Sequence, residues 1–145
     1  MKLLDKTVNF SGAKLALISN GKILTILRDV IPTIPYPNMW DLPGGGRENA
    51  EAPFDCASRE CYEELGLALT KDAVVWERVY PGLVNPDSQA VFLVAFMNQD
   101  MIDHIAFGDE GQGYQLMAID DFLADDQVIP QLKVRLADYL ANRQT

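Results

Sequence analysis

The chain has 145 residues, a net charge of −9 and 48% hydrophobic residues, which predicts one domain over residues 1–145 with a core large enough to fold alone. The acidic balance argues against nonspecific nucleic-acid binding, which needs a basic surface, and it leaves a homodimer open. No apolar run approaches the roughly 20 residues of a membrane span, and charges interrupt the N-terminus MKLLDKTVNF where a signal peptide needs an apolar stretch, so we expect a cytoplasmic protein without membrane contact.

A β-hairpin opens the chain. Residues 13–19 (AKLALIS) and 22–28 (KILTILR) indicate two strands, since both are rich in aliphatic residues. The dipeptide Asn20-Gly21 lies between them and favours a type I′ turn, because both of its residues tolerate a positive φ.

Residues 29–39 (DVIPTIPYPNM) predict a loop, because three prolines remove the backbone donors that a central strand needs. Tyr36 lies in this loop and Trp40 lies just after it. Aromatic side chains at such places could stack on a nucleobase. The alternative is packing under the sheet, which we favour more for Trp40 than for Tyr36.

A glycine-rich turn followed by a helix is the most informative part of the sequence. Gly44–Gly46 precede a short acidic loop, and the spacing then predicts a helix over Pro53–Leu65. Pro53 suits the first helical position and Gly66 suits the left-handed residue after the last turn. At about 100° per residue, one mostly apolar face of this helix contains Phe54, Ala57, Ser58, Cys61 and Leu65.

Three glutamates share a second face of that helix. Glu60, Glu63 and Glu64 stand at i, i+3 and i+4, where like charges destabilise a helix by roughly 0.2–0.5 kcal/mol per pair. A hard divalent cation would compensate, because Mg²⁺ and Mn²⁺ prefer carboxylate oxygens. A solvated acidic face is the alternative that the three glutamates alone leave open.

The second half of the chain predicts three more strands and a closing helix. Residues 89–98 (QAVFLVAFMN) are nearly continuously apolar, which indicates a central strand. Residues 99–113 are acidic and glycine-rich and predict a loop. The other predicted elements are strands at 73–80 and 114–119, a helical turn starting at Asp120 or Asp121, and a helix over Pro130–Asn142.

The residues of the glycine turn and helix also form a known pattern. Gly45, five residues, Glu51, seven residues and then Arg59-Glu60-Cys61-Tyr62-Glu63-Glu64-Leu65-Gly66-Leu67 resemble the Nudix box, GX5EX7REUXEEXGU, at every fixed position. Cys61 is a smaller apolar residue than the pattern's bulky aliphatic. The resemblance implies an α/β/α sandwich with a mixed central sheet. It also implies metal-dependent hydrolysis of a nucleoside diphosphate linked to another moiety.

The resemblance implies roles for particular residues. Glu60 is similar to the residue most often proposed as the general base in MutT-type members, although other branches take the base from outside the box. Arg59 would orient the box glutamates by ion pairing. The implied ligands of Mg²⁺ or Mn²⁺ are Glu60, Glu63, Glu64, the carbonyl of Gly44, and Glu110 in the GDEGQ segment, with Asp109 as the alternative to Glu110.

The resemblance also extends to structural and substrate positions. Arg28 would contact a substrate phosphate, as an arginine at a similar place does in MutT-type proteins. The expectation that Tyr36 contacts the base rests on its aromatic ring and not on the resemblance. Asp125 and Asp126 stand where MutT-type enzymes read a purine edge, but an acidic flank before a helix explains them equally well. The residues that the pattern assigns to the structure of the box are Gly45, Glu51 and Gly66.

Three functions compete at this point, and each has a small-molecule nucleotide as its ligand. The first is a pyrophosphohydrolase that converts a nucleoside triphosphate, such as a modified purine, to a monophosphate and pyrophosphate. The second is a hydrolase of a nucleotide sugar, ADP-ribose or a dinucleoside polyphosphate. The third is a noncatalytic nucleotide-binding module, against which the intact box glutamates argue.

Overall fold

A mixed sheet of seven strands forms the centre of the molecule in the computed structural model, which describes residues 1–143. Residues 144–145 of the predicted domain lie outside the described residues. The strands are β1 (Gly12–Ser19), β2 (Lys22–Leu27), β3 (Trp40–Asp41), β4 (Gly44–Gly46), β5 (Val74–Pro81), β6 (Gln89–Phe96) and β7 (Gly113–Ala118). The helices are α1 (Pro53–Leu65), α2 (Gln99–Asp103), α3 (Ile119–Ala124) and α4 (Pro130–Asn142).

The sheet is built around a parallel pair of strands. Its main path runs β3-β2-β1-β6-β5, while β4 pairs with β1 and β7 pairs with β2. β1 and β6 are parallel, and the other strand pairs are antiparallel. This arrangement confirms the predicted mixed sheet with a central apolar strand.

Alternating side chains of the central strands divide the core between the two faces of the sheet. Leu15 and Leu17 of β1 pack in the cluster that contains the apolar face of α1. Ala16 and Ile18 point to the opposite face and pack in the cluster that contains α3 and α4. Helices therefore cover both faces, which confirms the predicted α/β/α sandwich.

Local backbone signals placed several elements correctly. Asn20 and Gly21 both have positive φ values, 50° and 75°, as the predicted hairpin turn requires. α1 begins at Pro53, and Gly66 follows its last turn in the left-handed region at φ 68°. Both helix bounds agree with the prediction because proline and glycine fix the ends.

One segment differs from its prediction. Residues 99–113 were expected to form a loop, but the first five of them form α2. Asn98 explains the helix, since its side chain accepts a hydrogen bond of 2.9 Å from the N–H of Met101 and so caps the first turn.

Within residues 1–143, none of the helices has the length and apolar composition needed to cross a lipid bilayer.

Candidate functional site

A cleft of about 550 Å³ lies where the glycine turn, α1, the loop after β2 and the segment before β7 meet. It brings together six residues that the sequence had marked. These residues are Arg28, Gly44, Gly45, Glu60, Glu64 and Glu110.

Glycine is required at Gly44 because a Cβ there would overlap the backbone of Ala13 and Lys14 on β1, and at Gly45 the side chain of Glu60 on α1 comes close. A Cβ on Gly45 would lie 2.6 Å from the carboxyl carbon of Glu60. Gly44 has φ 135°, a conformation that side-chain-bearing residues rarely adopt. The turn therefore lets two carboxylates of α1 reach the main chain of β4.

Glu64 is the most buried glutamate of this contact. Its Oε1 accepts a hydrogen bond of 2.9 Å from the N–H of Gly44. Burial raises the pKa of Glu64 to about 7, although the Gly44 hydrogen bond and the charge of Lys14 both act to lower it. The cleft thus holds a carboxyl group whose charge is poorly compensated by the protein alone.

Arg59 gathers the remaining acidic groups of the box. Its guanidinium contacts both carboxylate oxygens of Glu51, at 2.8 and 3.1 Å, and these bonds hold the pKa of Glu51 below its usual range. The same group donates to Glu60 at 3.0 Å and to the carbonyl of Gly46 at 2.8 Å. Arg59 therefore ties α1 to the glycine turn and holds Glu60 at the edge of the cleft.

The segment before β7 is attached to the C-terminal end of α1. The N–H groups of Ala106 and Gly108 donate to the last carbonyls of that helix, those of Leu65 and Glu64, each at 2.8 Å. A Cβ on Gly108 would lie 2.9 Å from the Glu63 carbonyl, so the close approach requires glycine. This attachment carries Glu110 to the rim of the cleft.

Two basic side chains also line the cleft. Lys14 of β1 and Arg28, just after β2, each contact the same oxygen of Asp41, Oδ2, at 3.0 and 3.1 Å. The sequence interpretation included Arg28 but missed Lys14 and Asp41. A signal existed, because a lysine in the interior of an otherwise apolar strand is unusual and calls for a buried partner.

Four residues with predicted metal-binding or substrate-binding roles do not line this cleft. The side chain of Glu63 is 55% exposed and contacts Arg59. The hydroxyl of Tyr36 donates to the carbonyl of Leu83 at 2.8 Å, which turns the ring away from the cleft lining. Asp125 accepts a hydrogen bond from the N–H of Gln127, and its neighbour Asp126 is exposed.

The donor groups at the cleft fit a hard divalent cation in kind, since they are carboxylates and a backbone carbonyl. They are not gathered into a finished site: among residues 1–143, no three Asp, Glu, His or Cys side chains stand close enough together to bind one ion. The geometry explains this, because Arg59 holds Glu60 and Glu63 while Glu110 comes from a separate segment.

Comparison with known sequences gives consistent matches. Residues 11–138 match the NUDIX domain model. Over 87 residues, 56% of this chain, the sequence is 34% identical to an m7GpppN-mRNA hydrolase of Danio rerio, of which it spans 29%. Over 67 residues, 46% of this chain, it is 37% identical to an uncharacterised Nudix hydrolase of Pseudomonas aeruginosa, of which it spans 38%. The chain thus covers well under half of each of these relatives.

Solved structures share the fold at low sequence identity. A Nudix hydrolase of M. smegmatis, RenU, superposes with a TM-score of 0.69 at 21% identity, covering 94% of this chain and 89% of that one. A MutT protein of Methanosarcina mazei Go1 gives 0.67 at 15% identity, with coverage of 94% and 99%. A bifunctional NMN adenylyltransferase/ADP ribose pyrophosphatase of Francisella tularensis gives 0.66 at 22% identity, with coverage of 93% and 41%.

Proposed function

Because the chain belongs to the Nudix family, we propose that it is a pyrophosphohydrolase that requires Mg²⁺ or Mn²⁺. The reaction would cleave the pyrophosphate linkage of a nucleoside diphosphate joined to another moiety, with a nucleoside triphosphate as the first candidate. One observation carries this proposal: a single cleft is lined by three glutamates and two basic side chains. A metal–phosphate complex has complementary charges, since its cation would face the glutamates and its phosphates would face the basic side chains.

The glutamates supply the cation-binding side of the cleft. Glu60, Glu64 and Glu110, with the carbonyl of Gly44, are the groups that would hold the cation. Bound there, a divalent cation would neutralise phosphate charge and lower the pKa of a coordinated water. Glu63 lies outside the lining, so we assign it to holding Arg59 rather than to the cation.

The protein's own side chains would orient the reaction. Glu60 stands at the edge of the cleft, held by Arg59 at 3.0 Å, and would accept the proton of the attacking water. Arg28 would bind a phosphate oxygen through Nη2, because its Nε donates to the Pro35 carbonyl and its Nη1 donates to Asp41. Asp125 and Asp126 keep a proposed role in base reading. The N–H of Trp40 donates a hydrogen bond to the carbonyl of Gln127, and this bond holds the segment that contains the two aspartates beside β3.

A second cavity favours a second candidate substrate. It has a volume of about 380 Å³ and shares Lys14, Gly45 and Gly46 with the main cleft. Its far wall is formed by the β5–β6 loop, including Leu83 and Val84. A nucleotide sugar, ADP-ribose or a dinucleoside polyphosphate would use both cavities, one on each side of its phosphates.

Steady-state hydrolysis of a nucleotide panel tests the proposal. The panel contains purine and pyrimidine triphosphates, ADP-ribose, a nucleotide sugar and a dinucleoside tetraphosphate, each with Mg²⁺, with Mn²⁺ and with excess chelator. We expect metal-dependent turnover with the highest kcat/KM on a purine triphosphate. Higher kcat/KM on the larger substrates would select the second candidate.

Two results would overturn the enzymatic proposal itself. Full turnover in excess chelator would remove the metal requirement. Nucleotide binding by calorimetry without hydrolysis of any panel member would support a noncatalytic binding module instead.

A further inference from the structure

Lys14 is a partly buried cation in the interior of β1. Its side chain is 14% exposed. The Nζ atom donates to Asp41 at 3.0 Å and to the carbonyl of Leu42 at 3.3 Å, and lies 3.5 Å from the carbonyl of Gly44. These contacts hold the ammonium group at the floor of the cleft, beside the glycine turn.

Asp41 connects Lys14 to Arg28. Its side chain is only 6% exposed, and its Oδ2 accepts from both cations. Its other oxygen accepts a hydrogen bond of 2.7 Å from the N–H of Leu42, which fixes the carboxylate plane. The Nζ of Lys14 and the Nη1 of Arg28 both lie within hydrogen-bonding distance of this one oxygen of Asp41. The two cations are therefore close enough together to reach neighbouring phosphates of one substrate.

The charges of this group do not balance. Two cations share one carboxylate, and the charge of Glu64 offsets Lys14 only until a metal ion neutralises that glutamate, so with metal bound one positive charge of the group is uncompensated in a partly desolvated place. A structural ion pair needs a single cation, and burying a second one costs free energy that an anionic ligand would recover. Other acidic side chains, including Asp29 and Glu110, also line the cleft, so this excess is confined to the two cations and the carboxylate that they share.

The position of Lys14 adds a direction. Lys14 lines both the main cleft and the second cavity, whereas Arg28 lines the main cleft but not the second cavity. An anion bound at Lys14 would therefore lie at the junction of the two cavities, next to Gly45 and Glu64.

We propose that Lys14 is a second phosphate-binding cation of the cleft, and that Asp41 is a positioning residue that aims Lys14 and Arg28 at adjacent phosphates. This inference rests on the proposed function, since it assigns a part of the substrate to each cation. Lys14 binds the phosphate nearer the second cavity, and Arg28 binds the neighbouring one.

Kinetics and binding of four variants test the inference. Lys14→Met should raise KM for the preferred nucleotide about 10- to 100-fold and change kcat much less, because a ground-state contact is lost. Lys14→Arg should retain most of the affinity. The same variants are titrated with inorganic pyrophosphate in the presence of Mg²⁺, which measures binding without turnover. Lys22→Met is the matched control, since Lys22 is exposed at the start of β2, and it should match wild type.

Asp41→Asn separates positioning from a merely structural role. The variant should raise KM as well, and its effect should be smaller in the Lys14→Met background, because the part that acts through Lys14 is already lost while the part that acts through Arg28 remains. If the increases in KM caused by Asp41→Asn and by Lys14→Met simply multiply in the double variant, the positioning role of Asp41 is overturned. If Lys14→Met does not fold, Lys14→Gln is measured in its place.

The outcomes distinguish this inference from the proposed function. An unchanged KM and an unchanged pyrophosphate Kd in Lys14→Met, even with a lower Tm, would make Lys14 structural and overturn the inference. Absence of hydrolysis by wild type would overturn the proposed function, while weaker pyrophosphate binding by Lys14→Met would still support the phosphate site. Absence of pyrophosphate binding by wild type would overturn the site as well.

Discussion

The helices α1 and α4 have the same length and the same kind of start, but they use charge differently. Each has 13 residues, begins at a proline and packs on one face of the sheet. The charged groups of α1 meet partners from β4 and from the acidic loop before the helix, through Arg59. α4 instead buries one cation, Arg135, whose Nη1 has no hydrogen-bond partner among residues 1–143.

This difference shows how the fold tolerates charges that it does not need for its stability. On α1 the charges are concentrated, cross-linked and directed at a cleft, while α4 is held mainly by apolar side chains such as Leu132 and Leu136. Removal of a glutamate charge from α1 should therefore change activity, removal of Arg59 should change activity and stability together, and removal of Arg135 from α4 should change stability alone.

The largest effect is expected for Glu64→Gln. The amide keeps the hydrogen bond from Gly44 but loses the ligand charge, so kcat should fall about 100-fold or more. Tm should stay at or above that of wild type, because a buried charge is removed. Asp55→Asn, at an exposed position of the same helix, is the matched control for steady-state kinetics and calorimetry. A near-normal rate in Glu64→Gln would remove Glu64 from the site.

Arg59→Met should lower both activity and stability. Glu51 and Glu60 would lose their shared guanidinium, and leaving partly buried carboxylates without it should cost about 2 kcal/mol or more in the free energy of unfolding. Urea denaturation measures this cost. The free energy of unfolding of Arg59→Lys should lie between those of wild type and Arg59→Met, since a lysine keeps the charge but not the bidentate contact. Equal stability of all three proteins would contradict the role of Arg59 as a hub.

Glu110→Gln should weaken metal binding more than it weakens folding. Glu110 is exposed and comes from outside α1, so the amide should raise the Mg²⁺ concentration for half-maximal activity about 10-fold without lowering Tm. Asp109→Asn, at the neighbouring exposed position, provides the comparison. Superimposable metal titrations of Glu110→Gln and wild type would refute the assignment.

Arg135→Met tests the other helix. The variant loses a hydrogen bond of 2.6 Å to the Pro81 carbonyl and a cation–π contact with Tyr80, but it removes a desolvated charge. We expect the free energy of unfolding to rise by up to about 1 kcal/mol and kcat to stay the same. A clear loss of stability would show that the two contacts outweigh the desolvation of Arg135.

Glu77 on β5 provides a buried carboxyl group away from both helices. Its burial raises its pKa above the ordinary value of 4.5. The fold thus favours the protonated form, and this contribution is present at low pH and lost as the pH rises through the folded pKa. Glu77→Gln should therefore gain stability relative to wild type as the pH rises above the ordinary pKa of 4.5 and through the raised pKa of the folded state. A difference in unfolding free energy that is constant over this range would contradict the shift.

The sequence predicted the elements with strong local signals. Pro53, Gly66 and the Asn20-Gly21 turn determine their own backbone conformations, so α1 and the first hairpin agree with the structure. The sequence did not predict α2, because its five residues lack the spacing of apolar residues that indicates a helix and depend on the cap at Asn98.

The site was predicted only where the spacing along the chain carries it. Glu60, Glu63 and Glu64 lie within one helix, so their shared face could be deduced, although Glu63 lies outside the cleft lining. Lys14 and Asp41 are 27 residues apart and meet through the packing of β1 against the turn after β3. Such a contact depends on the register of the sheet, which no local pattern in either segment indicates.

The parallel pairing of β1 and β6 has a consequence for how the protein folds. Residues that pair across the two strands stand 78 positions apart in the sequence. Next to this pairing, the N–H of Ser11 donates to the carbonyl of Gln89. The first hairpin and α1 can form from local contacts, but closing so long a loop costs entropy that only the completed sheet repays. Lys14 sits on β1, and the glycine turn is paired to the same strand. During synthesis on the ribosome, the cleft should therefore form only after β6 has emerged and joined β1.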